Sequence, residues 1–298
     1  MSKVKSFSVG IGDMFYIKHG SSNFSIIDCF LSDGNKKTIV DELKKESSDK
    51  DISRYISTHP DEDHIQLLDY LDDQMPIVNF YCVKNEATKK DRTSGFVRYC
   101  ELRDNNNKVF NIYKNCSRKW MNQSGPDNNG KEIGGSGINI PWPNTENQFF
   151  KDALKVAKDG GSPNNISPII TYSVSDGATY QWMGDLETAF MESIKDDVSL
   201  SKVNILFAPH HGRESGKIPK SMLDILKPDI IIIGEAPSGN LNYYQGYNTI
   251  TQNSAGDITF VNDGKEIHIY VSNQNYKVSF LKNRNKSEFN YYLGTLDI

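Results

Sequence analysis

The sequence predicts an α/β fold, with strands and helices alternating along most of the chain. Three observations predict it. Short apolar runs broken by turn residues dominate both ends of the 298-residue chain. Each strand-rich stretch is followed by strand–helix alternation, the pattern of parallel strands joined by crossovers. Charged residues are 24% and hydrophobic residues 37%, which suits a globular core and is too polar for a membrane protein. The chain reads as a single domain over residues 1–298, with a polar insertion or cap at about 84–148.

Residues 4–9, 14–17 and 24–28 are expected as strands, separated by Gly-Asp and Gly-Ser-Ser-Asn turns. Ile39, Val40 and Leu43 stand at helical spacing and predict a helix over 37–45. A strand at 54–57 runs into His59-Pro60-Asp61-Glu62-Asp63-His64, and Ile65, Leu67, Leu68 and Leu71 predict one amphipathic helix after it. Residues 76–83 form another strand. The stretch 84–148 is rich in Asn, Lys and Gly, and a helix over 86–103 gives way there to irregular chain. Residues 167–175 and 179–183 predict a hairpin turning at Asp176-Gly177. A helix at 187–194, a strand at 203–208, a helix at 219–226 and a strand at 229–234 follow. Three more strands are expected within 257–281.

No apolar run approaches the roughly 20 residues of a membrane helix. The first residues reach Gly10, Gly12 and Asp13 before any apolar stretch long enough for a signal peptide. Cys29, Cys82, Cys100 and Cys116 lie far apart, without a C-x-x-C pair or the dense spacing of a secreted scaffold. Reduced thiols in a cytoplasm are therefore expected. The net charge of -4 gives no global attraction to nucleic acid, so any such surface is local.

Two His and two Asp fall within six residues at 59–64, after a strand and before a helix. Loops beyond strand ends are where α/β folds collect function. Two further strands have the same layout, ending in Gly184-Asp185 and in Pro209-His210-His211-Gly212. If those strands run parallel in neighbouring positions, three loop tips bring imidazole and carboxylate groups together. Taken singly, each motif also reads as a polar loop making caps and turns. His19 and His268 read as structural.

Val9-Gly10-Ile11-Gly12-Asp13 and Ile26-Ile27-Asp28-Cys29 come first, and Ser57-Thr58 leads into the His59 run. Met183-Gly184-Asp185 and Ala208-Pro209-His210-His211-Gly212 follow. In order and spacing this set resembles the metallo-β-lactamase superfamily, and within it the branch holding the hydrolase domain of the DNA-uptake protein ComEC. The resemblance implies the four-layer αββα arrangement, two sheets packed face to face with helices outside. It implies that His59 and Asp61 bind a first metal, Asp63 and His64 a second, and that Asp185 bridges both. His210 would complete the second site, favoured over His211 because it directly follows its strand. The implied chemistry is hydrolysis, with paired ions lowering the pKa of a water from 15.7 toward about 7. Asp63 or Asp185 would orient the attacking oxygen, and His211, if not a ligand, would protonate the leaving oxygen or touch the substrate. Zn²⁺ is the implied metal, in two sites of which one is weaker. Asp61 in place of an imidazole hardens the site, so Mn²⁺ competes.

The chain departs from the pattern in two places. No His lies between His64 and His210, and Asn242-Tyr243-Tyr244 stands where the branch often has a further His. The first metal position is thus expected to be carboxylate-rich, weaker, or completed by water or substrate.

Residues 84–132 carry eleven Lys/Arg and six Asp/Glu, a local excess of +5, with Phe96, Tyr99, Phe110, Tyr113 and Trp120 interleaved. That pattern reads as a surface for single-stranded nucleic acid or a nucleotide, or as a solvated helix with core-facing rings. Arg213 reads as a bidentate phosphate clamp or a surface arginine. A phosphodiesterase or nuclease acting on a phosphate-containing substrate is the leading expectation, with no membrane partner. The alternatives are a hydrolase of carboxylic or thioester substrates, and a degenerate binding module beside a protein partner in a larger assembly.

Overall fold

In the strand Phe15–Lys18, Phe15 and Ile17 enter one core cluster while Tyr16 enters another. The same split recurs at Ile27 and Ile26, at Ile56 and Tyr55, and at Tyr81 and Phe80. Alternate side chains leave a strand on opposite faces, so these strands are buried on both sides and read as continuous apolar runs. The computed structural model describes residues 1–298 apart from Pro237, Ser238, Asn240 and Asn290.

The chain is a mixed α/β protein built on two large sheets. The nine-stranded sheet runs from edge to edge through Tyr291–Asp297, Glu266–Val271, Ile258–Asp263, Ser2–Ser6, Phe15–Lys18, Asn23–Ile27, Ile52–Ile56, Phe80–Cys82 and Val109–Asn111. Its last four strands are parallel neighbours. The six-stranded sheet orders Ile138–Trp142, Ile169–Ser173, Thr179–Trp182, Ile205–Phe207, Ile230–Ile233 and Thr249–Thr251. Its last four strands are likewise parallel. Aromatic rings join the sheets: Phe15 meets Trp182 and Phe207, and Phe260 meets Tyr180 and Phe207. The other face of the nine-stranded sheet packs helices Lys36–Ser47, Leu68–Gln74 and Ser94–Arg103 through Leu43, Leu71, Phe96 and Tyr99. Helices Gln148–Lys158, Thr188–Ile194 and Lys220–Leu226 add Phe150, Met191 and Leu223 to the cluster that holds the six-stranded sheet.

Several elements differ from expectation, each for a local reason. The helix after the His59 run is broken into Glu62–Ile65 and Leu68–Gln74. Leu67 is left-handed there, and Gln66 bridges to Phe30 and accepts from Leu31 N, which ties the motif loop to the sheet. The third C-terminal strand is Tyr291–Asp297, beyond the expected range. Helix Gln148–Lys158 was not expected; the Asn147 side chain caps it by accepting from Phe150 N at 3.0 Å. Residues 84–148 supply helix Ser94–Arg103, one edge strand of each sheet and a short Gly125–Pro126/Glu132–Ile133 ladder. All four cysteines are free. Among the described residues no helix is long and apolar enough to cross a membrane.

Candidate metal centre

Of the three motif-bearing strands, two are parallel neighbours and one is not. Thr179–Trp182 pairs with Ile205–Phe207, whereas Ile52–Ile56 lies in the other sheet. The site therefore forms where carboxyl ends of parallel strands from both sheets face each other. Backbone hydrogen bonds stitch the loops into one unit. His210 N donates to Gly184 O at 2.9 Å, Asp13 N to Asp63 O at 3.0 Å, and Thr58 N to Asp28 Oδ1 at 2.8 Å.

Asp185 is the hub. Its Oδ1 lies 3.1 Å from His64 Nε2, and its Oδ2 lies 3.8, 3.6 and 3.7 Å from the Nε2 atoms of His59, His210 and His211. Asp63 joins from the side, 4.0 Å from His64 Nε2 and 3.3 Å from His211 Nε2. Each imidazole is anchored at its other nitrogen. His64 Nδ1 sits 2.9 Å from Asp28 Oδ2, and His211 Nδ1 lies 3.1 Å from Asp13 Oδ1. His210 Nδ1 meets Ser215 Oγ at 2.8 Å, and His59 Nδ1 meets Ser167 Oγ at 3.2 Å. Holding Nδ1–H on an acceptor leaves the Nε2 lone pair facing inward, which is how proteins orient metal-binding histidines.

The buried donors are under-satisfied in a way a cation would repair. His59 Nε2, His64 Nε2 and Asp185 Oδ1 are buried without a hydrogen-bond partner. The 3.1 Å between His64 and Asp185 is ion-pair proximity without hydrogen-bond alignment. Buried polar atoms are normally paired, so three orphans in one cluster point to a missing ion or water. Ligands on a tetrahedral ion at 2.0–2.1 Å stand about 3.4 Å apart. The separations around Asp185 bracket that value.

Electrostatics agree with a cation-seeking site. Burial opposes ionisation of Asp185, but His64 and His211 hold its carboxyl well below the usual range. Burial likewise opposes ionisation of Asp63, yet its hydrogen bond with His211 and the charge of His64 bring it down to about 2. Burial disfavours charge on His211, but Asp13 and Asp185 lift it to about 10. His64 is raised against burial by Asp185 and Asp28. Burial and the neighbouring His64 lower His59, and burial lowers His210. Both carboxylates are thus anionic at neutral pH, as ligands must be, and a bound divalent ion would displace the Nε2 protons of His64 and His211.

The structure brings His59, Asp63, His64, Asp185, His210 and His211 together. Asp61 stands at the edge, 3.9 Å from His59 Nε2, with Lys89 Nζ 2.7 Å from its Oδ1. Sequence reasoning favoured His210 over His211 as ligand. The group whose ligand atoms lie within 4.8 Å of one another is Asp13, His64, Asp185 and His211. Asp13 and Asp28 stand in the first two motifs, where the resemblance implies no ligand role for them. The available signal was an aspartate beside a strand end, as at Asp185. Asp13 faces His211 Nδ1, so we read it as the carboxylate that orients this ring.

Arg213 follows the histidine turn, and its side chain has no hydrogen-bond or ion-pair partner among the described residues. The rings of the basic stretch are mostly engaged. Phe96 and Tyr99 are core residues, Phe110 lies beneath the Arg118 guanidinium, and Trp120 Nε1 donates to Gly125 O. Arg98, Arg103 and Lys131 are paired with Asp72, Asp104 and Asp51. Tyr113 is half exposed.

The histidine turn is strained. His210, His211 and Gly212 have φ of 52°, 55° and 85°, and left-handed non-glycine residues cost roughly 1–3 kcal/mol each. Gly184 has φ 51°, and an added Cβ would stand 2.6 Å from Ser167 Oγ and 3.0 Å from Thr58 Cβ. Ser167 Oγ accepts from Asp185 N and faces His59 Nδ1. Gly184→Ala should therefore destabilise the chelated protein by about 1–3 kcal/mol in urea. It should also weaken metal binding about tenfold or more, as loss of orienting contacts does.

No protein-family model matches the chain, and no curated protein matches it.

Proposed function

We propose that the chain is a metal-dependent hydrolase with a metallo-β-lactamase-like αββα fold, of the ComEC-like branch, and that it cleaves phosphodiesters. One observation carries the reading: four imidazoles, each fixed at Nδ1, turn Nε2 toward the buried carboxylate of Asp185. Zinc, with manganese as the alternative, would supply Lewis acidity and an activated water. His64, His211, Asp63 and Asp185 would hold the ion. His211 serves here as ligand rather than as the acid expected of it, because both its nitrogens face carboxylates. Asp63 would also accept a hydrogen bond from a metal-activated water. Arg213 binds a phosphoryl oxygen, which its free guanidinium and its place beside His210 support. The four free thiols fit a reducing cytoplasm.

Turnover of bis-p-nitrophenyl phosphate in Mn²⁺ or Zn²⁺ tests this reading. Asp63→Ala should abolish it. Arg213→Ala should raise KM by about tenfold while kcat stays within a few-fold, the loss of one charge-assisted hydrogen bond. Cleavage of p-nitrophenyl acetate but not the phosphodiester would favour a carboxylic or thioester substrate. A metal-loaded protein inert to both would favour the binding-module reading, which the Lys89–Asp61 ion pair supports.

A further inference from the structure

The centre has two sides. On one, Asp63, His64 and His211 meet Asp185. On the other, His59 and His210 approach Asp185 Oδ2, and Asp61 Oδ2 lies 3.9 Å from His59 Nε2. His59 Nε2 is fully buried and has no hydrogen-bond partner, so this side too is short of a cation.

Asp61 is already engaged. Its Oδ1 accepts from Lys89 Nζ at 2.7 Å, with both side chains partly buried. The segment carrying Lys89 is clasped over the motif. Thr93 Oγ1 donates to Glu62 Oε2 at 2.8 Å, and Gly95 approaches Ile65 O so closely that a Cβ would stand 2.3 Å away. The ammonium also lies 5.7 Å from the Phe96 ring centroid, and that ring is fixed in the core. Lys89 is thus a positioned charge.

We propose that Lys89 controls a second cation position on the His59 side. Its ammonium neutralises Asp61 and repels a divalent ion there, so the centre holds one ion tightly and a second weakly. The proposal rests on the metal reading above: with no third imidazole on that side and a fixed ammonium on its carboxylate, the second position is weak. The sequence carries no His between His64 and His210 to supply one.

The test is equilibrium titration of the full chain with Mn²⁺, following free Mn²⁺ by electron paramagnetic resonance, a readout independent of turnover. The wild type should bind one ion tightly and a second at least about tenfold more weakly, as expected for a fixed like charge near the site. Lys89→Met should tighten the second ion by about tenfold or more and leave the first unchanged. Lys89→Arg should behave as wild type, and Asp61→Asn placed on Lys89→Met should remove the second ion. Two equivalent ions in the wild type, or a second affinity unmoved by Lys89→Met, would overturn the proposal while leaving the metal centre standing. Binding of no ion by any variant would overturn the metal reading itself.

Discussion

Asp185→Asn is expected to yield a folded protein that no longer holds a divalent ion and no longer turns over a phosphodiester. Among the described residues Asp185 is the one carboxylate within 4 Å of all four imidazole Nε2 atoms. An amide keeps the volume but removes the charge and turns one acceptor into a donor. A loss near 4 kcal/mol of stabilisation corresponds to about a thousandfold in rate. The thermal melt gives a second readout. Free metal at about a thousand times Kd stabilises a native state by about 4 kcal/mol, and each kcal/mol moves Tm by roughly 1.6 °C in a chain of 298 residues. The wild type should therefore melt about 6 °C higher with metal than with chelator. The variant should show no difference. A metal-dependent rise that survives Asp185→Asn would mean the ion binds elsewhere.

The second large effect is expected at Asp28, which never faces the ion. Asp28 is fully buried with φ 56°, accepts from Thr58 N and Thr58 Oγ1, and lies 2.9 Å from His64 Nδ1. Asp28→Ala strips His64 and Thr58 of their acceptor. Breaking a buried pair from one side costs about 3–5 kcal/mol, or roughly 5–8 °C in Tm. Asp28→Asn restores an acceptor for Thr58 but not the charge that fixes His64. Its stability loss should be smaller, while metal affinity still falls by about 10–100-fold, the usual effect of losing an orienting carboxylate. Equal affinities in Asp28→Asn and wild type, measured well below both melting temperatures, would reduce Asp28 to a purely structural role. Asp13→Asn should weaken binding through His211 in the same way, less strongly because Asp13 is partly exposed.

The α/β class and most elements were legible because alternation and helical spacing report local burial, and these segments are buried where the pattern says. The alternation of Phe15, Tyr16 and Ile17 between two cores is an example. What local pattern cannot carry is strand partnership. Nothing at residues 52–56 says that this strand belongs to a different sheet from 179–182 and 205–207. The motif residues were readable as chemistry because His and Asp gather at strand ends. The choice between His210 and His211 was not readable, since it depends on two successive left-handed residues. Asp13 and Asp28 were hidden for a related reason. Their partners, His211 and His64, lie 198 and 36 positions away. The basic stretch shows the same limit of local reading. Its charges were counted along the chain, whereas Arg98 and Lys131 find acids at Asp72 and Asp51 outside it.

The most direct test of the account is anomalous diffraction at the manganese edge from crystals grown with Mn²⁺. The account predicts a peak bonded to Asp185, His64 Nε2, His211 Nε2 and Asp63, at the roughly 2.0–2.2 Å of first-row metal–ligand bonds. A well-occupied peak elsewhere, or these four side chains ordered around water alone at saturating Mn²⁺, would contradict it.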